Sequence, residues 1–110
     1  MSKQDLNTKV TEAILKAEAL EAKDARSPET RSAFNNLSIL EQQLAKQAGT
    51  TEERNIARRG SIRAALKAGD IERARQLLYL YEDSPEFDAR SNKEMRALVG
   101  NPSLVYATAR

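Results

Sequence analysis

The chain has 110 residues, a net charge of only +2, a 40% apolar share and no tryptophan, which fits a single domain with a modest core of Leu, Ile, Val and Ala. Cysteine and histidine are both absent. Their absence excludes disulfides, thiolate metal sites and thiol catalysis, and it removes the commonest general base and transition-metal ligand.

Residues 2–25 read as a first helix. Leu6, Val10, Ala13, Ala17 and Leu20 recur at alternating spacings of four and three, which keeps one seam turned to a partner helix. Leu15 lies off that seam, either as a lone exposed leucine or as part of a second contact surface. Ser27-Pro28-Glu29 marks a stop and restart: a side-chain cap, a proline at the first helical position and a carboxylate at the positive end of the dipole. The second helix has Ala33, Leu37, Leu40, Leu44 and Ala48 along its seam, Phe34 at the edge and Ile39 outside it, and Gly49 ends it. Two such seams suit an antiparallel hairpin, or the pairing of each helix with another subunit.

Thr50 followed by Glu53 has the spacing of a capping box and opens a third helix to Ala68. Its small residues Ala57, Gly60, Ser61, Ala64 and Ala68 share one face, which lets a neighbouring backbone approach closely, while Ile62 and Leu66 lie far round. A break at Gly60 is the alternative to a continuous helix. Gly69 then ends the helix without a Cβ penalty and Asp70 caps the next. Ile71, Ala74, Leu77, Leu78 and Tyr81 fall in one arc opposite Glu72, Arg73 and Gln76, so the fourth helix faces the core and forms a tight hairpin with the third.

Ser84-Pro85-Glu86 repeats the cap, proline and acid pattern, and Ser91 with Glu94 spells a second capping box. The last helix is short, with Met95, Leu98 and Val99 as its apolar patch, and Gly100 and Asn101-Pro102 close it. The expected architecture is all-α: a small bundle of about five helices built from antiparallel hairpins over residues 1–100. A short extended tail, 101–110, is expected to dock on its own domain or on a partner.

The stretch LKAGDIERARQLLYLY resembles the turn and second helix of a tetratricopeptide repeat. Gly69-Asp70 sits at the turn, Ala74 at the small packing position, and Leu78 and Tyr81 follow at helical spacing. About half a repeat is covered. Arg58 and Ser61-Ile62 stand where that family has a large aromatic and a Leu-Gly pair, and no second copy follows. The resemblance implies a local helical hairpin and nothing about activity.

Charge is unevenly distributed. Residues 1–49 hold seven basic and seven acidic side chains, whereas 54–75 hold seven basic ones against Asp70 and Glu72. Arg54, Arg58, Arg59, Arg63, Lys67 and Arg75 are the candidate anion or nucleic-acid contacts, since guanidinium forks match phosphate oxygens. The competing reading pairs them with Glu52, Glu53 and the acids of 82–88, and no aromatics interleave to stack bases. Glu82, Asp83, Glu86 and Asp88 lack the spacing and glycine of an EF-hand loop and read as a solvated segment. Ser61 follows Arg58-Arg59 as a basophilic kinase site would, but on a packed helix face it would be inaccessible.

No nucleophile is paired with a base and no glycine-rich phosphate loop occurs. The chain is therefore expected to be non-enzymatic, with no cofactor and no metal: an adaptor, regulator or assembly subunit acting through packed helix faces. A homo-oligomer or another protein is its expected partner, with contacts at Leu15, Ile39, Leu40, Leu104 and Tyr106. Nucleic-acid binding through the basic helix is the alternative. No apolar run approaches the roughly 20 residues of a membrane span, and residues 1–9 lack a signal-peptide core, so a cytoplasmic-type compartment and no membrane are expected.

Overall fold

Side-chain caps set the helix boundaries. The computed structural model describes residues 2–107, which form α1 (Lys3–Lys23), α2 (Pro28–Gln47), α3 (Thr51–Lys67), α4 (Ile71–Glu82), α5 (Ala89–Gly100) and a 3-10 turn (Pro102–Tyr106), with no strand among them. Ser2, Ser27, Thr50, Asp70 and Asp88 accept, respectively, from the backbone N–H groups of Asp5, Thr30, Glu53, Arg73 and Ser91. Each cap satisfies one orphan donor and contributes about 1 kcal/mol.

The α3–α4 turn is a Schellman motif. Gly69 has φ +77°, its N–H donates to Leu66 O, and the Asp70 N–H donates to Ala65 O, both at 3.0 Å. A positive φ costs glycine nothing, so the chain reverses in two residues and Asp70 is already the cap of α4. This is the hairpin that the sequence implied.

Two local expectations are corrected. Ser84-Pro85 starts no helix; it forms a turn in which Phe87 N–H donates to Ser84 O at 3.1 Å. Ser91 does not cap α5 either, because Asp88, three residues earlier, accepts the Ser91 N–H at 3.1 Å and starts the helix at Ala89. The tail likewise differs from an extended segment. Pro102–Tyr106 winds into a 3-10 turn whose Val105 is fully buried among Ile62, Met95 and Leu98. Pro102 presets the backbone for the first residue of that turn. Residues 108–110 of the tail lie outside the described residues.

The core has two parts, and α3 serves both. Leu6, Val10, Ala13 and Ala17 of α1 pack with Phe34 and Leu37 of α2 and Ala64 of α3. Ile62, Ala65 and Leu66 turn the other way, onto Ala74, Leu77, Leu78 and Tyr81 of α4, Phe87, Met95 and Leu98. Ion pairs join Lys3 to Glu53 and Glu21 to Lys67, both at 3.0 Å, so α1 and α3 run parallel with α2 antiparallel between them.

The α2 seam is wider than the sequence spacing suggests. Thr30, Phe34, Leu37, Ser38, Glu41, Ala45 and Ala48 are buried, whereas Ala33, Leu40 and Leu44 are half-buried on the α1 side. A helix flanked on both sides buries a broader arc than a single apolar stripe, and much of this arc is polar. The α2–α3 contact runs through the small face of α3, which is continuous through Gly60. There Ser38 Oγ donates to Ser61 O at 2.7 Å and accepts from Arg73 Nε at 3.0 Å. Arg73 Nη2 also donates to Gln42 Oε1 at 2.8 Å, and Ser61 Oγ lies 3.2 Å from the Tyr81 hydroxyl. This chain of bonds satisfies buried polar groups and ties α2, α3 and α4 together.

Candidate functional site

The basic residues of α3 are held by this chain's own acceptors. Arg54 pairs with Glu86 and donates to Ala48 O at 3.0 Å. Arg58 stacks on the Tyr81 ring at 5.3 Å and reaches Asn55 and Ser84. Arg59 donates to Ser91 Oγ at 2.8 Å, Arg63 pairs with Glu94, and Lys67 lies 3.0 Å from Glu21 and 5.2 Å from the Phe34 ring centroid. Arg75 stands apart on α4 with a 3.9 Å approach to Glu72, both side chains well exposed. The six cations do not converge as a group; Arg59 and Arg63 alone share an open cleft of about 800 Å³, whose lining also holds Glu52, Glu86, Asp88 and Glu94. The cations of α3 tie it to α1, to the α2–α3 turn and to α5.

The acids of 82–88 are distributed in the same way. Glu82 accepts from Arg96 at 3.1 Å, Glu86 pairs with Arg54, and Asp88 caps α5. The hydroxyl and N–H of Ser91 hold the Asp88 carboxyl below its ordinary range, as Lys3 does for Glu53. No group of three or more such side chains among the described residues is placed to hold a metal ion. Ser61 is fully buried, so its hydroxyl is closed to a kinase.

Apolar exposure is the more informative feature. Leu15, Ile39, Leu104 and Tyr106 are exposed, while Leu40 is half-buried against the α1–α2 cluster. Tyr106 has the Arg26 guanidinium over its ring at 5.1 Å, which ties the 3-10 turn to the α1–α2 connection. Sequence reasoning missed three residues that the structure leaves exposed: Ile56 on α3 and the adjacent Tyr79 and Leu80 on α4, the last two at 72% and 58%. The α4 signal was present. Leu77 to Tyr81 are five consecutive apolar residues, more than one helical turn, so they cannot all point inward.

Two hollows adjoin these residues. A groove of about 410 Å³ lies between α1 and α3 on the floor of α2, with Val10, Ile14, Leu44, Ala48, Ile56 and Ala57 among its walls. A second of about 340 Å³ opens beside Leu80, lined also by Gln42, Ala45, Lys46, Arg54, Arg58 and Tyr81. Comparison with protein-family models, curated proteins and solved structures gives no match to this chain.

Proposed function

We propose that this protein is a small non-enzymatic interaction module that works by packing exposed helix faces against a protein partner, itself included. The observation that carries the reading is a contrast in how the side chains are used. The basic residues of α3 engage internal carboxylates, hydroxyls, carbonyls and rings, whereas large apolar side chains stand in solvent on α1, α2, α3 and α4. Phosphate binding needs several cations free to leave their partners together. Tyr79 and Leu80, adjacent on α4, are the most compact of these exposures, and an exposed apolar patch is what a protein interface covers. No helix is long and apolar enough to cross a membrane among the described residues, and a cytoplasmic-type compartment belongs to the same reading.

Affinity capture from a cell extract, with and without nuclease, tests it. A stoichiometric protein partner that survives nuclease and is lost on Leu15→Asp or Leu80→Asp is the expected result. Capture that depends entirely on nucleic acid would overturn the reading in favour of the basic helix.

A further inference from the structure

The outward face of α4 has a symmetry of its own. Glu72, Arg75, Gln76, Tyr79, Leu80 and Asp83 are exposed along it and beyond its last turn, while Ala74, Leu77, Leu78 and Tyr81 are buried on the other side. Arg75 and Asp83 stand four residues before and four after Tyr79, hence on the same side of the helix. Both are open to a further partner. Arg75 makes only the exposed 3.9 Å approach to Glu72, and Asp83 is the exposed residue that closes the helix.

We infer that this face seats a second copy of the chain, with the two α4 helices antiparallel about a two-fold axis at Tyr79. That axis places residue 75 of one copy level with residue 83 of the other, so two Arg75–Asp83 pairs flank a centre made of Tyr79 and Leu80 from both copies. A two-fold contact must be complementary to itself. Arg75 on one side of the apolar centre and Asp83 on the other meet that condition, with Glu72 beside Arg75 on its N-terminal side. Parallel docking would set Arg75 against Arg75 and Asp83 against Asp83, so the charges also fix the orientation. The hollow beside Leu80, which Ala45, Lys46 and Tyr81 also line, offers the Lys46 ammonium to the face of the Tyr79 ring of the second copy. The inference rests on the interaction reading above and specifies one partner and one face for it.

Sedimentation velocity over a wide concentration range tests it. The expected result is a monomer–dimer equilibrium. Arg75→Asp and Asp83→Arg should each weaken the dimer by about tenfold or more, since either change occurs twice in a two-fold contact and about 1.4 kcal/mol is one decade. Leu80→Asp should leave only monomer. All three positions are exposed, and far-UV circular dichroism checks that the helices persist.

The decisive measurement mixes the two single reversals. The Arg75→Asp chain carries an acid at both ends of the contact and the Asp83→Arg chain a cation at both ends. Each therefore opposes itself but complements the other, so the mixture should form a heterodimer. The Arg75→Asp/Asp83→Arg double variant should likewise recover self-association. A wild-type chain that is monomeric at every concentration would overturn this inference and leave a different protein partner standing. A dimer indifferent to Leu80→Asp and to both reversals, or reversals that mixing does not rescue, would also overturn it.

Discussion

Glu41 of α2 lies directly over Gly60 of α3: a Cβ built on Gly60 would fall 2.6 Å from the Glu41 carboxylate carbon and 2.7 Å from Oε1. Both residues are buried, and a methyl at Gly60 requires the Glu41 carboxylate, the end of a flexible side chain that also lines the groove between α1 and α3, to move aside. Glycine at a helix centre costs about 1 kcal/mol relative to alanine. Here that cost permits the α2–α3 approach.

Gly60→Ala is accordingly expected to displace the Glu41 carboxylate at a cost that offsets the gain in helix propensity of about 1 kcal/mol, leaving the variant destabilised by no more than about 1 kcal/mol. In a Glu41→Ala background the carboxylate is gone, and the same substitution should be neutral or stabilising. Urea denaturation of the four members of this cycle gives the coupling energy. Additive effects would mean that the two residues do not meet.

How far the sequence revealed this fold follows from how local each cause is. Caps act over three residues and turns over two, so Ser27, Thr50, Gly69 and Asp70 could be read directly. The capping-box spacing points to Ser91 and passes over Asp88, an equally competent cap three residues earlier that the structure uses, directly after the Phe87 ring packed against Tyr81. Glu41 could not be found in the same way. Its burial depends on Gly60, nineteen residues away in sequence, and no spacing within α2 marks it. The exposed face of α4 was open to counting, yet the same apolar run supplies the buried arc and masks the residues opposite it.

The α3 cations supply a second test. Replacing Arg59, Arg63 and Lys67 together by Gln removes the Glu94 and Glu21 pairs and the charged bond to Ser91. Lys67 and Glu21 are only 12% and 23% exposed, so solvent screens them less than a surface pair. The triple variant should lose about 1–3 kcal/mol of stability. Nucleic-acid binding by the wild-type chain, followed by fluorescence anisotropy at low salt, should be weak and unspecific or absent.

Tyr81 gives a prediction in pH. Its ring is buried, and desolvation pushes the phenol above its ordinary value against the opposing bond to Ser61. The folded phenol thus keeps its proton to higher pH than the unfolded one. Its contribution is full below the ordinary tyrosine value of about 10 and is lost as pH rises beyond it, because the unfolded chain ionises first. Tyr81→Phe should cost about 1 kcal/mol near neutrality through the lost hydrogen bond, and its stability should fall less steeply on the alkaline side. Denaturation midpoints from about pH 8 to 11, a span that brackets that value, compare the two slopes.

The Val105 side chain tests whether the 3-10 turn belongs to the domain. It is fully buried against α3 and α5, and Tyr106 next to it is reached by Arg26. Val105→Ala should cost about 1–3 kcal/mol by leaving a small void. Val105→Asp should cost more, because a carboxylate cannot stay in that site without a partner. Near-wild-type stability for both would show that the turn does not hold its place in solution.

The last prediction concerns the α3–α4 hairpin and separates backbone strain from loss of glycine as such. Gly69 has φ +77°, with the Arg31 guanidinium carbon 3.5 Å from where a Cβ would stand, whereas Gly100 at the end of α5 has nothing within 4 Å and a negative φ. Gly69→Ala should therefore cost about 1–2 kcal/mol, the penalty of the left-handed region for an L-residue. Gly100→Ala should be neutral or slightly stabilising, since it restricts the unfolded chain without strain in the folded one. Asp70→Ala should cost about 1 kcal/mol by removing the acceptor that the Arg73 N–H meets at 3.0 Å. Leu78, behind this turn, is buried among α3 and α5, and Leu78→Ala should cost roughly 2–5 kcal/mol. Denaturation of the four variants orders them. A Gly69→Ala variant as stable as wild type would mean the turn can adopt another geometry, and α4 would no longer be fixed against α3 in the way its outward face requires.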